Sequence, residues 1–226
     1  MLVDEHDPKM EPIEAPYIKL YTSGTPNGQK ISILLELLHL DYKLRSINIY
    51  ENEQKQDWFL NINPNGRIPT LSVVDSDGKI KYISESGAIM LYLADKYDTE
   101  NRISYKFGTD LYYEQLEWLM FQMGGIGPMM GQAHHFNIFA PKRIPYAENR
   151  YKKESGRLMD VLEKRLEINC TGFLVGDHVC IADLAIYPWL KELYCVPLNI
   201  DEWPLVSKWV ANMDSIPEIS KGMTKH

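Results

Sequence analysis

The chain has 226 residues, of which 45% are apolar, 24% charged and 11% aromatic, enough to bury a sizeable core and too apolar for wholesale disorder. Its 24 basic and 31 acidic residues give a formal net charge of −7, which argues against nucleic acid or an anionic membrane as the partner, and no uncharged apolar run nears the ~18 residues of a membrane span. Three scattered cysteines, Cys170, Cys180 and Cys195, form no CxxC pair and read as reduced thiols.

Residues 1–16 hold five acids and three prolines and predict a mobile arm. The arm has no apolar segment of a secretory signal, so the expected compartment is the cytoplasm. Residues 17–21 read as a strand, and 22–28 are dense in turn formers. Ile31, Leu34, Leu35 and Leu38 then recur at helical spacing. Strand-like alternation returns over 42–49, and a short helix around 57–62 stops at Asn63-Pro64-Asn65-Gly66. Strands over 70–74 and 79–83 flank Asp75-Ser76-Asp77-Gly78, a hairpin signal. A further helix starts at Glu85 or Ser86 and runs to Tyr97.

Beyond Asp98 the strand signals vanish. Leu116, Leu119, Met120 and Met123 share one helical face, Leu158, Val161, Leu162 and Leu166 another, and Ala182, Ala185, Ile186, Trp189, Leu190 and Leu193 a third. Pro188 is expected to kink its helix. The reading is an α/β domain over 17–98, a linker over 99–107 and an all-helical domain over 108–226.

Several motifs fail on inspection. Gly125-Ile126-Gly127-Pro128-Met129-Met130-Gly131 misses the dinucleotide fingerprint by one residue and follows a helix. The Asp75 turn lacks the remaining ligands of a calcium loop. His134-His135 stands without a companion cysteine or carboxylate ladder, so no metal site is expected.

Three features converge instead. Ile68-Pro69 enters a strand, where proline cannot donate to a ladder; a cis bond there would leave the Ile68 backbone to pair with an extended peptide. The bland alternative is an edge-strand proline. Glu85-Ser86 opens a helix, where Ser86 serves as a cap or, with the helix amides, holds a ligand carboxylate while Glu85 takes an ammonium. The loop from Ser23 to Gly28 gathers hydroxyls and amides at another helix N-terminus, where a thiolate is favoured; the alternative is a turn with no ligand.

Taken in order, these residues resemble the cytosolic glutathione transferases. Within them, Gly24-Thr25-Pro26-Asn27-Gly28, Asn63-Pro64-Asn65-Gly66-Arg67-Ile68-Pro69 and Glu85-Ser86-Gly87-Ala88-Ile89 look like the nu class. So do Gly124 to Gln132 with His134-His135-Phe136, and Ile144-Pro145-Tyr146-Ala147 with Arg150-Tyr151. That class contains bacterial disulfide-bond oxidoreductases and is similar to the fungal nitrogen-regulator branch.

The resemblance implies a thioredoxin-like first domain, an all-helical second domain, a homodimer, and glutathione as cosubstrate, reduced with one or two per site, or oxidised. It implies that Ile68, held by Pro69, pairs with the cysteinyl moiety, that Glu85 and Ser86 hold the γ-glutamyl end, and that Gln54 lines the glycyl side. Thr25 and Asn27 would approach the sulfur, and Arg150 would reach a second glutathione. Two departures stand out. Cys180 occupies a helix cap where most classes have Thr or Ser, although Asp183 three residues on and a Val179–Leu184 staple survive. The first loop also lacks the cysteine of thioredoxin-like reductases, so redox chemistry must use the glutathione thiol. The expected activity is disulfide-bond reduction on small-molecule disulfides. Conjugation to electrophiles or peroxide reduction is the enzymatic alternative, and a non-catalytic glutathione-binding regulator the alternative of another class. Tyr21 competes with Thr25 as thiolate partner, but a strand aromatic more often packs.

Overall fold

A computed structural model describes every residue except 1, 4, 5, 10, 11, 76, 77 and 226, and the side chains of 2, 3 and 12 are likewise outside the description. The chain divides into two compact units, one of residues 1–95 and 218–226, the other of residues 96–217.

The first unit is built on a four-stranded mixed sheet in the order β4-β3-β5-β6. Here β1 is Leu2–Val3, β2 Pro12–Ile13, β3 Tyr17–Thr22, β4 Lys43–Ser46, β5 Thr70–Val74 and β6 Ile80–Ser84. Strand β3 pairs parallel with β4 and antiparallel with β5, and β5 pairs antiparallel with β6. The parallel pair needs a crossover, which α1 (Pro26–Leu37) supplies. Thr25 caps α1 by accepting a hydrogen bond from Gly28 N at 3.3 Å, and Pro26 stands in the first turn, where its missing N–H costs nothing. Ile31, Ile33, Leu34 and Leu35 are buried. The short α2 (Asp57–Ile62) and α3 (Ser86–Tyr97) complete the predicted order.

The structure bears on four of the sequence expectations here. The strand over 42–49 is shorter, because the Asn48 side chain accepts from Tyr50 N and Glu51 N and starts a 3-10 turn, Ile49–Glu51. The turn of the hairpin, Ser76-Asp77, lies outside the described residues. The described part of the acidic segment 1–16 makes specific contacts. There β1 pairs with β2, and the fully buried Asp7 carboxylate ion-pairs with Lys19 and lies 3.8 Å from Arg45 Nε. An unpaired carboxylate could not be buried at that cost. Finally, α9 (Pro217–Met223) belongs from Glu218 onward to the first unit, not to the helical one. Gly222 lies so close to α1 that a Cβ there would meet Ile33 Cα at 2.4 Å, and Lys221 and Lys225 ion-pair with Glu36.

The second unit is helical: α4 (Asp110–Phe121), α5 (Gly127–His134), α6 (Pro145–Asn169), α7 (Ile181–Lys191) and α8 (Pro204–Asp214). The expected linker is part of this unit. Asp98 accepts from Arg102 N, Ile103 N and Ser104 Oγ, Tyr105 Oη donates to Val175 O at 2.9 Å, and Ile103 and Tyr105 are buried. The glycine-rich stretch reads as two π-helical turns, Gln122–Ile126 and His135–Phe139, flanking α5. Among the described residues no helix is long and apolar enough to cross a membrane.

Candidate functional site

Register brings three of the sequence motifs to one edge of the sheet. Tyr21, near the end of β3, is opposite Thr70 at the start of β5, and Thr70 is opposite Ser84 at the end of β6. The loop into α1, the loop carrying Ile68-Pro69 and the turn into α3 therefore leave from the same edge. Both β5 ladders begin at Thr70, so the Ile68 backbone lies just beyond them. The Ile68–Pro69 bond is cis, as expected.

The loop before β5 is pinned from within. Asn63, buried, donates through Nδ2 to Arg67 O at 2.8 Å and to Thr70 Oγ1 at 3.0 Å, and its Oδ1 accepts from Asn65 N. Gly66 has φ +59°, and a Cβ there would meet Gln54 O at 2.8 Å, so glycine is required. Gln54, half-buried on the neighbouring 3-10 turn, has a side-chain oxygen that is buried without a hydrogen-bond partner among the described residues.

At the head of α3, Glu85 adopts a left-handed conformation, φ 71°, rare for a residue with a side chain and a mark of functional turns. Its carbonyl accepts from Ile89 N at 2.9 Å, so Glu85 holds the first turn of the helix. Its exposed carboxylate accepts from Asn65 Nδ2 at 3.4 Å. Ser86 next to it is buried and accepts a hydrogen bond from Lys30 Nζ at 3.3 Å. Burial pushes the Lys30 ammonium down to about 7, opposed by the negative charge of Glu85. Sequence reading missed Lys30 and Asn65. A polar residue inside the apolar run of α1 was the one available signal for the former.

At the head of α1, Thr25 and Asn27 are half-buried. The loop is tight, since a Cβ at Gly28 would meet Ser23 O and Thr22 Oγ1 at 2.3 Å. The Thr25 hydroxyl accepts from Gly28 N and so keeps its own proton for a second partner. Tyr21 differs. It is fully buried in a cluster with Ile47, Phe59 and Ile62, edge-on to Phe59 at 6.1 Å.

These loops and helix termini are those of a known family. Residues 25–96 match the glutathione S-transferase N-terminal domain, and residues 126–217 the C-terminal domain. The chain belongs to the glutathione S-transferase family. Among curated relatives, this transferase is 38% identical over 218 residues to the disulfide-bond oxidoreductase YfcG of Escherichia coli, covering 92% of this chain and 95% of that one. Among solved structures it resembles a glutathione transferase homologue from Lodderomyces elongisporus with two glutathione molecules per subunit (43% identity, TM-score 0.89, 92% and 97% covered). It also resembles the transferase URE2P8 of Phanerochaete chrysosporium with oxidised glutathione (35% identity, TM-score 0.86, 93% and 95% covered).

In the transferase's helical unit, the exposed Arg150 lies on α6. With Lys153, Arg157, Tyr146 and Tyr151 it lines a cavity of about 570 Å³. Tyr151 stacks on Phe136, their planes 9° apart, and Arg157 is ion-paired with Glu154. Elsewhere in this unit the Cys180 cap is modified rather than lost. Asp183 accepts from Cys180 N at 3.0 Å and from the buried Cys180 thiol at 3.3 Å, and also from Leu174 N and Trp209 Nε1, each at 2.9 Å. Burial pushes the Asp183 carboxyl up against these donors.

Proposed function

We propose that this transferase is a glutathione-dependent disulfide-bond reductase. The observation that carries the reading is the convergence, at one sheet edge, of a Thr25-capped helix N-terminus, the Ile68 backbone beyond the ladder and the Glu85-Ser86 turn. Together they offer partners for a thiolate, for an extended backbone and for an amino-acid head group. Glu85 takes the ammonium of the γ-glutamyl end, Ser86 its carboxylate, Ile68 the cysteinyl backbone, and Gln54, whose side-chain oxygen has no partner among the described residues, the glycyl side. Thr25 donates its hydroxyl proton to the sulfur, and Asn27 lies on the same turn. The positive end of α1 lowers the thiol pKa, and thiolate is the nucleophile.

Residues 22–28 contain no cysteine, so the attacking sulfur arrives with glutathione. The thiolate forms a bond to one sulfur of a substrate disulfide as the other sulfur leaves as thiolate. A second glutathione thiolate then attacks the mixed disulfide, releasing the remaining substrate thiol and glutathione disulfide. Two glutathione thiols are oxidised and one substrate disulfide is reduced. Arg150, with Lys153 beside it, is suited to the carboxylates of the second glutathione. The relatives with two glutathione molecules or with glutathione disulfide support that stoichiometry. We place the protein in the cytoplasm as a homodimer, in keeping with the exposed Leu111, Tyr113 and Met120 of α4.

The test is turnover of a small disulfide by purified protein with reduced glutathione, counting glutathione disulfide formed. One glutathione disulfide per substrate disulfide supports the reading. Glutathione binding without turnover of disulfides or electrophiles would instead identify a regulator.

A further inference from the structure

The 3-10 turn that carries Gln54, Glu53–Lys55, is tethered from outside. None of its residues is buried, and Asn52 before it, left-handed at φ 56°, gives no side-chain cap. Short 3-10 turns hold themselves poorly. Glu53 supplies a tether: one carboxylate oxygen accepts from Asn48 N at 2.8 Å and the other from Arg45 Nη2 at 2.5 Å. Arg45, on β4, is itself held at three further points. Its Nη1 donates to Ser46 O at 2.7 Å, its Nε faces the buried Asp7 carboxylate at 3.8 Å, and its guanidinium lies 5.5 Å from the centre of the Trp58 ring. The Arg45 side chain is only 12% exposed. Burying most of a guanidinium is costly, and an apolar side chain in such a place often serves stability as well. A planar cation with N–H groups in fixed directions does what a methionine cannot, since it holds two carboxylates at set places.

We propose that Arg45 is a positioning residue that, through Glu53, sets the 3-10 turn so that Gln54 meets the glycyl residue of glutathione. The inference rests on the glutathione reading and goes beyond it by naming what places Gln54. The Gln54 side-chain oxygen is buried without a hydrogen-bond partner among the described residues, which costs free energy until a ligand N–H arrives. The glycyl amide carries such a donor. Donor and acceptor must meet at close range and good angle, so a shifted turn loses the bond. Asp7 stands at the far end of the same strut, which ties the N-terminal segment to the turn.

Glu53 is an anion next to the residue that receives the glycyl end, itself an anion. Charge alone therefore predicts that Glu53→Gln tightens binding, whereas positioning predicts that it weakens it. Calorimetry of the full chain with S-hexylglutathione and with S-hexyl-γ-glutamylcysteine, which lacks the glycyl residue, reads the difference. Wild type is expected to prefer S-hexylglutathione. Glu53→Gln should bind S-hexylglutathione about fivefold or more weakly, the scale of one lost hydrogen bond, and bind the shorter ligand as wild type does. In a Gln54→Ala background the same substitution should change neither affinity, because the two residues act through one contact. Arg45→Met should repeat the Glu53→Gln result. It also strips a charge from beside Asp7, so Glu53→Gln, at a half-buried carboxylate, decides the matter if Arg45→Met does not fold.

Tighter or unchanged binding of S-hexylglutathione by Glu53→Gln, equal losses for both ligands, or losses that add to those of Gln54→Ala would overturn the inference and leave the glutathione reading standing. So would a wild type with no preference between the two ligands. Wild type that binds neither ligand would overturn the glutathione reading itself.

Discussion

The N-termini of α1 and α7 solve one problem in opposite ways. Every helix begins with amide N–H groups that lack partners within it. At α7 the terminus is sealed: every residue from Ile181 to Leu190 is buried, Ile181 N donates to Ile103 O at 3.0 Å, and the Asp183 carboxylate accepts from the cap residue's own N–H and thiol as well as from Leu174 N and the Trp209 indole. At α1 the cap is a single hydrogen bond, from Gly28 N to Thr25 Oγ1 at 3.3 Å, on a half-buried residue. One terminus spends its donors on the fold, and the other is the terminus we propose for the thiolate. Substitutions at α7 should therefore move stability and leave catalysis alone, whereas those at α1 should do the reverse.

The largest effect is expected at Asp183. Asp183→Ala strands several buried donors and should cost about 3–5 kcal/mol, as removal of one partner from a buried charged network does. Denaturant unfolding reads the loss, and glutathione-dependent turnover per folded molecule should stay within about twofold of wild type. A proportionate fall in that turnover would erase the contrast between the two termini.

Next is Thr25→Ala, which should lower disulfide turnover about ten- to a hundredfold and raise the bound-thiol pKa, because a hydrogen bond to a charged group is worth about 1.5–3 kcal/mol. A pH–rate profile should move to higher pH, with thermal stability down only by the ordinary cost of a lost cap. Cys180→Thr works the other terminus with the opposite sign. A hydroxyl is a better cap acceptor than a thiol and can still donate to Asp183, so stability should rise by about 0.5–2 kcal/mol with glutathione kinetics unchanged. An unaltered melting temperature would mean that the thiol already serves those amides. The smallest effect belongs to Tyr21→Phe, which keeps the buried ring against Phe59 and should cost turnover less than about threefold. A large loss there beside a near-normal Thr25→Ala would move the thiolate partner from the α1 terminus to the strand.

Much of the first unit was legible because its signals are local. Thr25 followed by Pro26 marks a helix start, Asn63 to Gly66 a stop, and the 3.6-residue spacing of Ile31, Leu34 and Leu35 a buried face. The candidate residues Thr25, Asn27, Gln54, Ile68, Pro69, Glu85 and Ser86 were found by motif, and the ladder register explains why the motifs before β5 and α3 leave the same edge as the loop into α1. The misreadings were those of long-range partners. Nothing local in residues 1–16 announces that Asp7 pairs with Lys19, twelve residues on. The last helix looked like part of the helical domain until Gly222 met Ile33 and Lys221 met Glu36.

The sequence by itself determined the order and kind of the main elements, since propensity, capping and periodicity act over a few residues and need no distant partner. It also determined that any reactive sulfur in the first loop is borrowed, because the loop has none of its own. Only the tertiary structure decided which polar groups are buried and against what. The Lys30 ammonium shows why: burial penalises it, while Ser86 and Glu85, more than fifty residues away at the head of α3, give it a hydrogen bond and an opposing charge, and the energy of a buried charge is set by its surroundings rather than by its neighbours in the chain.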